Sequence, residues 1–220
     1  MARTLAAATG AKLHIVSHQE NHLEAGVWSA GGPNADRFLL LHASGGTTDM
    51  LLAEKQEDGR FKLTEVGGSM DLHAGQFIDR IGVALGLQFP TGPELEKLAA
   101  TADETQMVEL PVSVRKLNVS LSGPATAAIR KLEAGADGAG LALGVQYALA
   151  ETFTRMLRNG AAEYKVNAVL LVGGVASNSY IRKHVTDKLA KRRISVWVPE
   201  ARFSCDNASG NAAFAYRMSL

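Results

Sequence analysis

Hydrophobic and polar positions along this chain change period several times, and each change predicts an element. Ala168-Val-Leu-Leu-Val172 is an unbroken aliphatic run, the pattern of a strand covered on both faces. Phe38–Ala43, Met50–Lys55 and Phe61–Val66 are also strand-like, with Glu57-Asp58-Gly59 as the hairpin turn between the second and third. Shorter strand-like runs occupy Lys12–Val16, Val114–Ser120 and Ile194–Val198. Helical spacing covers residues 2–9, about 70–86, 93–103, 124–134, 138–159, 178–192 and 207–218. Ser17, with Glu20 three residues on, forms a capping box that opens one more helix.

A three-strand antiparallel meander followed by alternating helices and parallel strands is the ribonuclease-H-like α/β pattern, the unit from which actin-like ATPases build a nucleotide site. The Gly31-Gly32-Pro33-Asn34 loop separates two expected regions. Residues 1–34 read as a remnant of a first lobe, and residues 35–220 as one complete lobe. No internal repeat supplies a second unit.

The composition narrows the function classes. A net charge of +1 over 220 residues gives no broad basic field for nucleic acid or anionic membrane. Lys188-Leu-Ala-Lys-Arg-Arg193 reads as a solvated helix face. The single cysteine, Cys205, excludes an internal disulfide framework and fits a reducing compartment. Neither the start of the chain nor the alanine-rich Gly138–Ala150 run has the length and hydropathy of a membrane span, so a soluble, cytoplasmic protein is expected.

Several residues carry candidate chemistry. Gly173 and Gly174 remove both Cβ atoms where a strand turns towards a helix opened by Ser177 or Asn178, an arrangement open to a phosphate or to none. Ser44-Gly45-Gly46-Thr47-Thr48 is either a phosphate-cradling turn or a plain glycine hairpin. His18 and His22 stand four apart on one helix face, which suits two metal ligands or two surface histidines. Glu20 lies on another side, so this is not the His-Glu-x-x-His protease arrangement. Ser69 or Asp71 serves as a helix cap, and Asp79 as an exposed polar residue. Asp206 precedes the final helix, where an N-cap worth about 1 kcal/mol is the simplest local reading.

Taken in order, these segments resemble the TsaD family, the tRNA threonylcarbamoyladenosine transferases formerly called O-sialoglycoprotein endopeptidases or glycoproteases. The resemblance runs through Val16-Ser-His-Gln-Glu-Asn-His22, Ala43-Ser-Gly-Gly-Thr-Thr48, Asp71–Asp79 and Leu85-Gly-Leu-Gln-Phe-Pro-Thr-Gly-Pro93. It continues through Val119-Ser-Leu-Ser-Gly123, Val172-Gly-Gly-Val-Ala-Ser-Asn178 and Cys205-Asp-Asn-Ala208. It implies an actin-like ATPase fold with a zinc or iron ion held by His18, His22 and Asp206. It places Ser44, Gly45 and Gly46 on a loop bordering substrate and phosphates. Asp79, Gly92 and Asn178 fall on positions that contact the adenosine-containing ligand, beside Gly173 and Gly174. That ligand is ATP or threonylcarbamoyl-adenylate, and the implied reaction transfers the threonylcarbamoyl group to a tRNA adenosine next to the anticodon.

The chain departs from the family pattern at several points. Thr47 stands where the family has histidine, Asp71-Leu72 where it has paired aspartates, and Gln76 where it has glutamate. Pro124-Ala125 replaces a usual lysine, and residues 1–30 resemble only the end of the first lobe. A second expectation follows: a non-catalytic binding or scaffold module, with a homodimer or partner protein covering the incomplete lobe. Val27, Trp28 and Leu23 are candidates for that surface, with core packing the simpler account. Metal-dependent peptide hydrolysis is the least favoured class.

Overall fold

The computed structural model describes residues 1–219. Helices α1 (Ala2–Thr9) and α2 (His18–Ala30) precede a meander of β1 (Arg37–Ala43), β2 (Thr48–Lys55) and β3 (Phe61–Gly68). Helices α3 (Ala74–Ala84) and α4 (Gly92–Ala99) follow, then a small hairpin of β4 (Val114–Arg115) and β5 (Asn118–Val119). Helices α5 (Ser122–Glu133) and α6 (Gly138–Tyr164) lead into β6 (Ala168–Val172), α7 (Ser179–Ala190) and β7 (Ser195–Trp197). Helices α8 (Ala201–Ser204) and α9 (Ser209–Arg217) are the last described elements.

The main sheet has the order β3-β2-β1-β6-β7. Its meander strands pair antiparallel, whereas β1 pairs parallel with β6 and β6 with β7. Both faces of the central strands are covered, which is why β6 is apolar throughout and β1 is apolar from Phe38 to Ala43 except at His42. Along β1, Leu39, Leu41 and Ala43 face one core with Phe153 and Leu157 of α6. Phe38 and Leu40 face a second core with Leu23 of α2, Leu170 and Val172. His42 is two residues beyond Leu40, so the strand period turns it towards the α2 side.

Several boundaries differ from the sequence expectation. Residues 12–16 form no strand, because they have no neighbouring strand with which to pair. The run at 114–120 is a tight hairpin, broken where Lys116 takes a positive φ of 56°. The capping box at Ser17 and Glu20 forms as expected. Helix α3 starts at Ala74 with His73 as N-cap residue, and neither Ser69 nor Asp71 caps it. Asp71 instead serves α5: its carboxylate accepts hydrogen bonds from the Ser120 hydroxyl and the Leu121 and Ser122 amides.

Burial pushes the Asp71 carboxyl upward, but those hydrogen bonds together with the Leu72 amide outweigh it and hold it well below the usual carboxylate range. A carboxyl depressed by folding stabilises the native state above its unfolded pKa, and the contribution is lost as pH falls through the native value. Asp71→Ala is expected to cost about 0.5–2 kcal/mol, the usual worth of a helix cap. Urea unfolding should show that difference at pH 7 and a smaller one below pH about 4, where the unfolded carboxyl of the parent protein is protonated.

Among the described residues, no helix is long and apolar enough to cross a membrane.

Candidate functional site

The parallel strands β1 and β6 end side by side at Ala43 and Val172, and the chain leaves each through small residues. In open α/β sheets such carboxyl ends are where ligands bind. After β1, Ser44–Thr47 turn tightly, with the Ser44 amide donating to the Thr47 carbonyl at 2.8 Å and the Gly46 amide to the Ser44 hydroxyl at 3.3 Å. A Cβ added at Gly45 or Gly46 would meet nothing within 4 Å, so this loop faces open space. Its back is packed against α3: a Cβ at Gly75 would lie 2.6 Å from the Gly45 Cα, and the Gly75 amide donates to the Ser44 carbonyl at 2.9 Å.

After β6, Gly173 has φ 99° and its Cβ direction points into the Ala43 carbonyl oxygen, 2.2 Å away. Gly174–Ser177 then make one 3₁₀ turn, and Asn178 caps α7 by accepting from the Ile181 amide at 3.0 Å. Gly173 is therefore required by the approach of two strand ends, whereas a Cβ at Gly174 would meet only the Cys205 Sγ at 3.7 Å.

Two adjoining cavities result. An apolar one of about 500 Å³ is lined by Gly45, Asp79, Gly92, Gly174 and Asn178, with Ile78, Phe89 and Val175 among its apolar walls. That volume suits a small-molecule ligand. The second, about 460 Å³, holds His18, His22, Ser44, Gly45, Gly46, Gly173, Gly174 and Asp206. Gly45, Gly174 and Cys205 line both, so the cavities share a wall. All eleven sequence-predicted residues line one or other cavity.

Two local expectations need correction. Asp79 is not a free polar group: its Oδ1 accepts from the Thr91 amide at 2.8 Å and the Thr91 hydroxyl at 3.1 Å, holding the Pro90–Gly92 wall. Asp206 is not an N-cap either. The N-cap position of α9 is Ala208, the Asn207 side chain accepts from the Ser209 amide at 2.8 Å, and Asp206 reaches back across the chain.

There its Oδ1 lies 3.0 Å from His18 Nε2 and 2.9 Å from His22 Nε2. The two imidazole hydrogen bonds hold the Asp206 carboxyl below the usual carboxylate range. Burial lowers the His22 pKa despite Asp206. With Nε2 engaged, His22 Nδ1 is buried without a partner.

Sequence reasoning missed three participants. His42, at 1% exposure, places its ring centroid 4.1 Å from that of His22 and 5.6 Å from that of His18. Both of its ring nitrogens lack hydrogen-bond partners, and burial drives its pKa to about 3, so it is neutral. A lone imidazole in Phe38-Leu-Leu-Leu-His-Ala43 was the available signal. Ser177, whose buried hydroxyl has no partner, and Glu96, which accepts from the Ser179 amide at 2.8 Å, line the apolar cavity. The sequence marked Ser177 only as a possible helix opener, and Glu96 does not stand out by spacing. Of the apolar trio on α2, Leu23 is core, Val27 packs on it, and Trp28 is 58% exposed against Phe203.

The sheet order and crossovers define an α/β protein with the actin-like, ribonuclease-H-like fold. Among solved structures, HypF from T. kodakarensis superimposes with a TM-score of 0.75 at 16% identity, covering 99% of this chain and 38% of that one. The ADPNP-bound activator of 2-hydroxyisocaproyl-CoA dehydratase from Clostridium difficile gives 0.54 at 15% identity, covering 93% and 70%.

Residues 1–213 match the family model for TsaD, tRNA N6-adenosine threonylcarbamoyltransferase, and the chain belongs to that family. A relative from Methanothermobacter thermautotrophicus, a probable bifunctional tRNA threonylcarbamoyladenosine biosynthesis protein, is 31% identical over 98% of this chain and 40% of its own length. The tRNA N6-adenosine threonylcarbamoyltransferase of Thermosipho africanus is 32% identical over 82% of this chain and 56% of its own. That of Shouchella clausii is 32% identical over 100% and 66%. The chain thus spans between about two fifths and two thirds of the length of these relatives.

Proposed function

We propose that this chain binds an adenine nucleotide or threonylcarbamoyl-adenylate in the apolar cavity and a transition metal in the histidine cavity, and serves threonylcarbamoyl transfer to a tRNA adenosine. The observation that supports this reading is the wall shared by the two cavities at Gly45 and Gly174, where an acyl-phosphate junction would lie with the nucleoside in the apolar end.

The donor set fits a metal. His18 Nε2 and His22 Nε2 each lie about 3 Å from Asp206 Oδ1, so two imidazole nitrogens and a carboxylate oxygen converge on one point. Imidazole with carboxylate suits zinc or iron. Bound there, the ion would act as a Lewis acid towards a phosphate or acyl oxygen.

The chain's own groups supply position. Gly45, Gly46 and Gly174 let backbone approach the phosphates, since a side chain at 45 or 46 would project into open cleft. Ile78, Val175 and Pro90 offer apolar surface to a base, and the unpartnered Ser177 hydroxyl offers a hydrogen bond. Asp79 acts through Thr91, by fixing the loop that carries Gly92. A tRNA substrate and a partner protein or second copy against the family's first lobe belong to the same proposal.

Calorimetric titration of the zinc-loaded chain with ATP is expected to show one site. Elemental analysis should find one bound ion in the parent protein and none in the His18→Ala/His22→Ala variant. Absence of nucleotide binding overturns the adenylate reading, and unchanged metal content in the variant overturns the metal assignment.

A further inference from the structure

Resting on that metal reading, we propose that His42 is an additional metal ligand, so that this chain holds a divalent transition ion through three imidazoles, His18, His22 and His42, with exposed Asp206 as the fourth donor. One ligand atom from each of the three histidines lies within 4.8 Å of the other two. His42 and His22 are each 1% exposed and His18 is exposed, so the cluster has a buried floor and an open side.

The case for His42 rests on its cost as a mere core residue. A neutral imidazole carries one N–H donor and one acceptor nitrogen, and here neither has a partner. Each buried polar group left unpaired costs about 1–3 kcal/mol. The preceding positions of the strand that face α2, Phe38 and Leu40, are apolar, and a leucine at 42 would carry no such penalty. A metal bound to one nitrogen removes the orphaned acceptor. Helix α2 aims His18 and His22 at that ring, with all three centroids between 4.1 and 5.6 Å apart.

Three neutral imidazoles and one carboxylate favour Zn²⁺ or a similar borderline ion, and disfavour Mg²⁺ or Ca²⁺, which prefer oxygen. Asp206 is the least constrained donor, its side chain 82% exposed on the segment before α9.

X-ray absorption of the zinc-loaded parent protein is expected to count three imidazoles; two would overturn the proposal without any substitution. In His42→Leu the count should fall to two. Zinc affinity, read by competition with a chromophoric chelator, should drop by more than the roughly 10–100-fold typical of losing an outer-shell partner. The melting temperature of metal-free His42→Leu should equal or exceed that of the metal-free parent. Unchanged zinc affinity in His42→Leu, alongside a loss in His22→Ala, overturns the third imidazole alone. Zinc binding unaffected by His22→Ala overturns the underlying metal reading as well.

Discussion

Gly173→Ala is expected to lose about 2–6 kcal/mol of stability, whereas Gly174→Ala, one residue on, is expected to fold as well as the parent. At Gly173, φ 99° with ψ 164° lies in a region open essentially to glycine, worth about 1–3 kcal/mol of strain for any other residue. The added methyl would also sit 2.2 Å from the Ala43 carbonyl oxygen and 2.7 Å from its carbon. Those atoms belong to the strand end that β6 pairs with, so the overlap cannot be relieved by turning a side chain; overpacking of this kind costs about 1–3 kcal/mol more. Against a total stability of about 5–15 kcal/mol, that is a large share. At Gly174 the nearest atom to an added Cβ is the Cys205 Sγ at 3.7 Å, an ordinary contact. Gly174→Ala should therefore unfold at the parent's urea midpoint and show its effect in the nucleotide titration, because its methyl lies on the wall common to both cavities. Equal destabilisation by the two substitutions would contradict this division of labour.

These adjacent glycines mark how far the sequence could be read. A strand, two glycines and a helix cap at Asn178 are local features, and they occur at the expected positions. What separates Gly173 from Gly174 is the position of Ala43, which is 130 residues away and invisible to local pattern. Asp206 shows the same limit in reverse. Locally it reads as a cap, but α9 starts after Ala208, and only the packing of α9 on α2 reveals a carboxylate brought to two imidazoles. Lys12–Val16 alternated like a strand and had no partner, whereas α8 is too short to show a period. His42 was legible in principle as a polar residue inside an apolar strand, since the strand period fixes its face. The resemblance to a known family pointed to His18, His22 and Asp206 as candidate metal ligands, and the matched segment on β1 begins at Ala43, one residue after His42.

Arg217→Ala is expected to cost about 3–5 kcal/mol, the usual penalty for leaving a buried charge unpaired. Glu24 of α2 has a side chain only 7% exposed, and its carboxylate accepts from two nitrogens along one edge of the Arg217 guanidinium, Nη2 to Oε1 and Nε to Oε2, the latter at 3.2 Å. The same guanidinium donates to the Gly59 carbonyl and lies 5.5 Å from the centre of the Phe214 ring, so it joins α9, α2 and the β2–β3 turn. Along that seam the Asn21 side chain donates to the Asn207 carbonyl at 2.8 Å, one residue from Asp206. Loosening α9 should therefore also weaken zinc binding through the carboxylate donor. Glu24→Leu/Arg217→Met separates charge from packing. Replacing both partners of a buried pair by apolar groups of similar size is often neutral or stabilising, so the double variant should recover most of the lost stability and restore the zinc affinity of the parent. Urea unfolding of the parent, Arg217→Ala and the double variant, each metal-free and zinc-loaded, measures both effects. A double variant as unstable as Arg217→Ala would mean that the Gly59 contact, and not the ion pair, holds α9 in place.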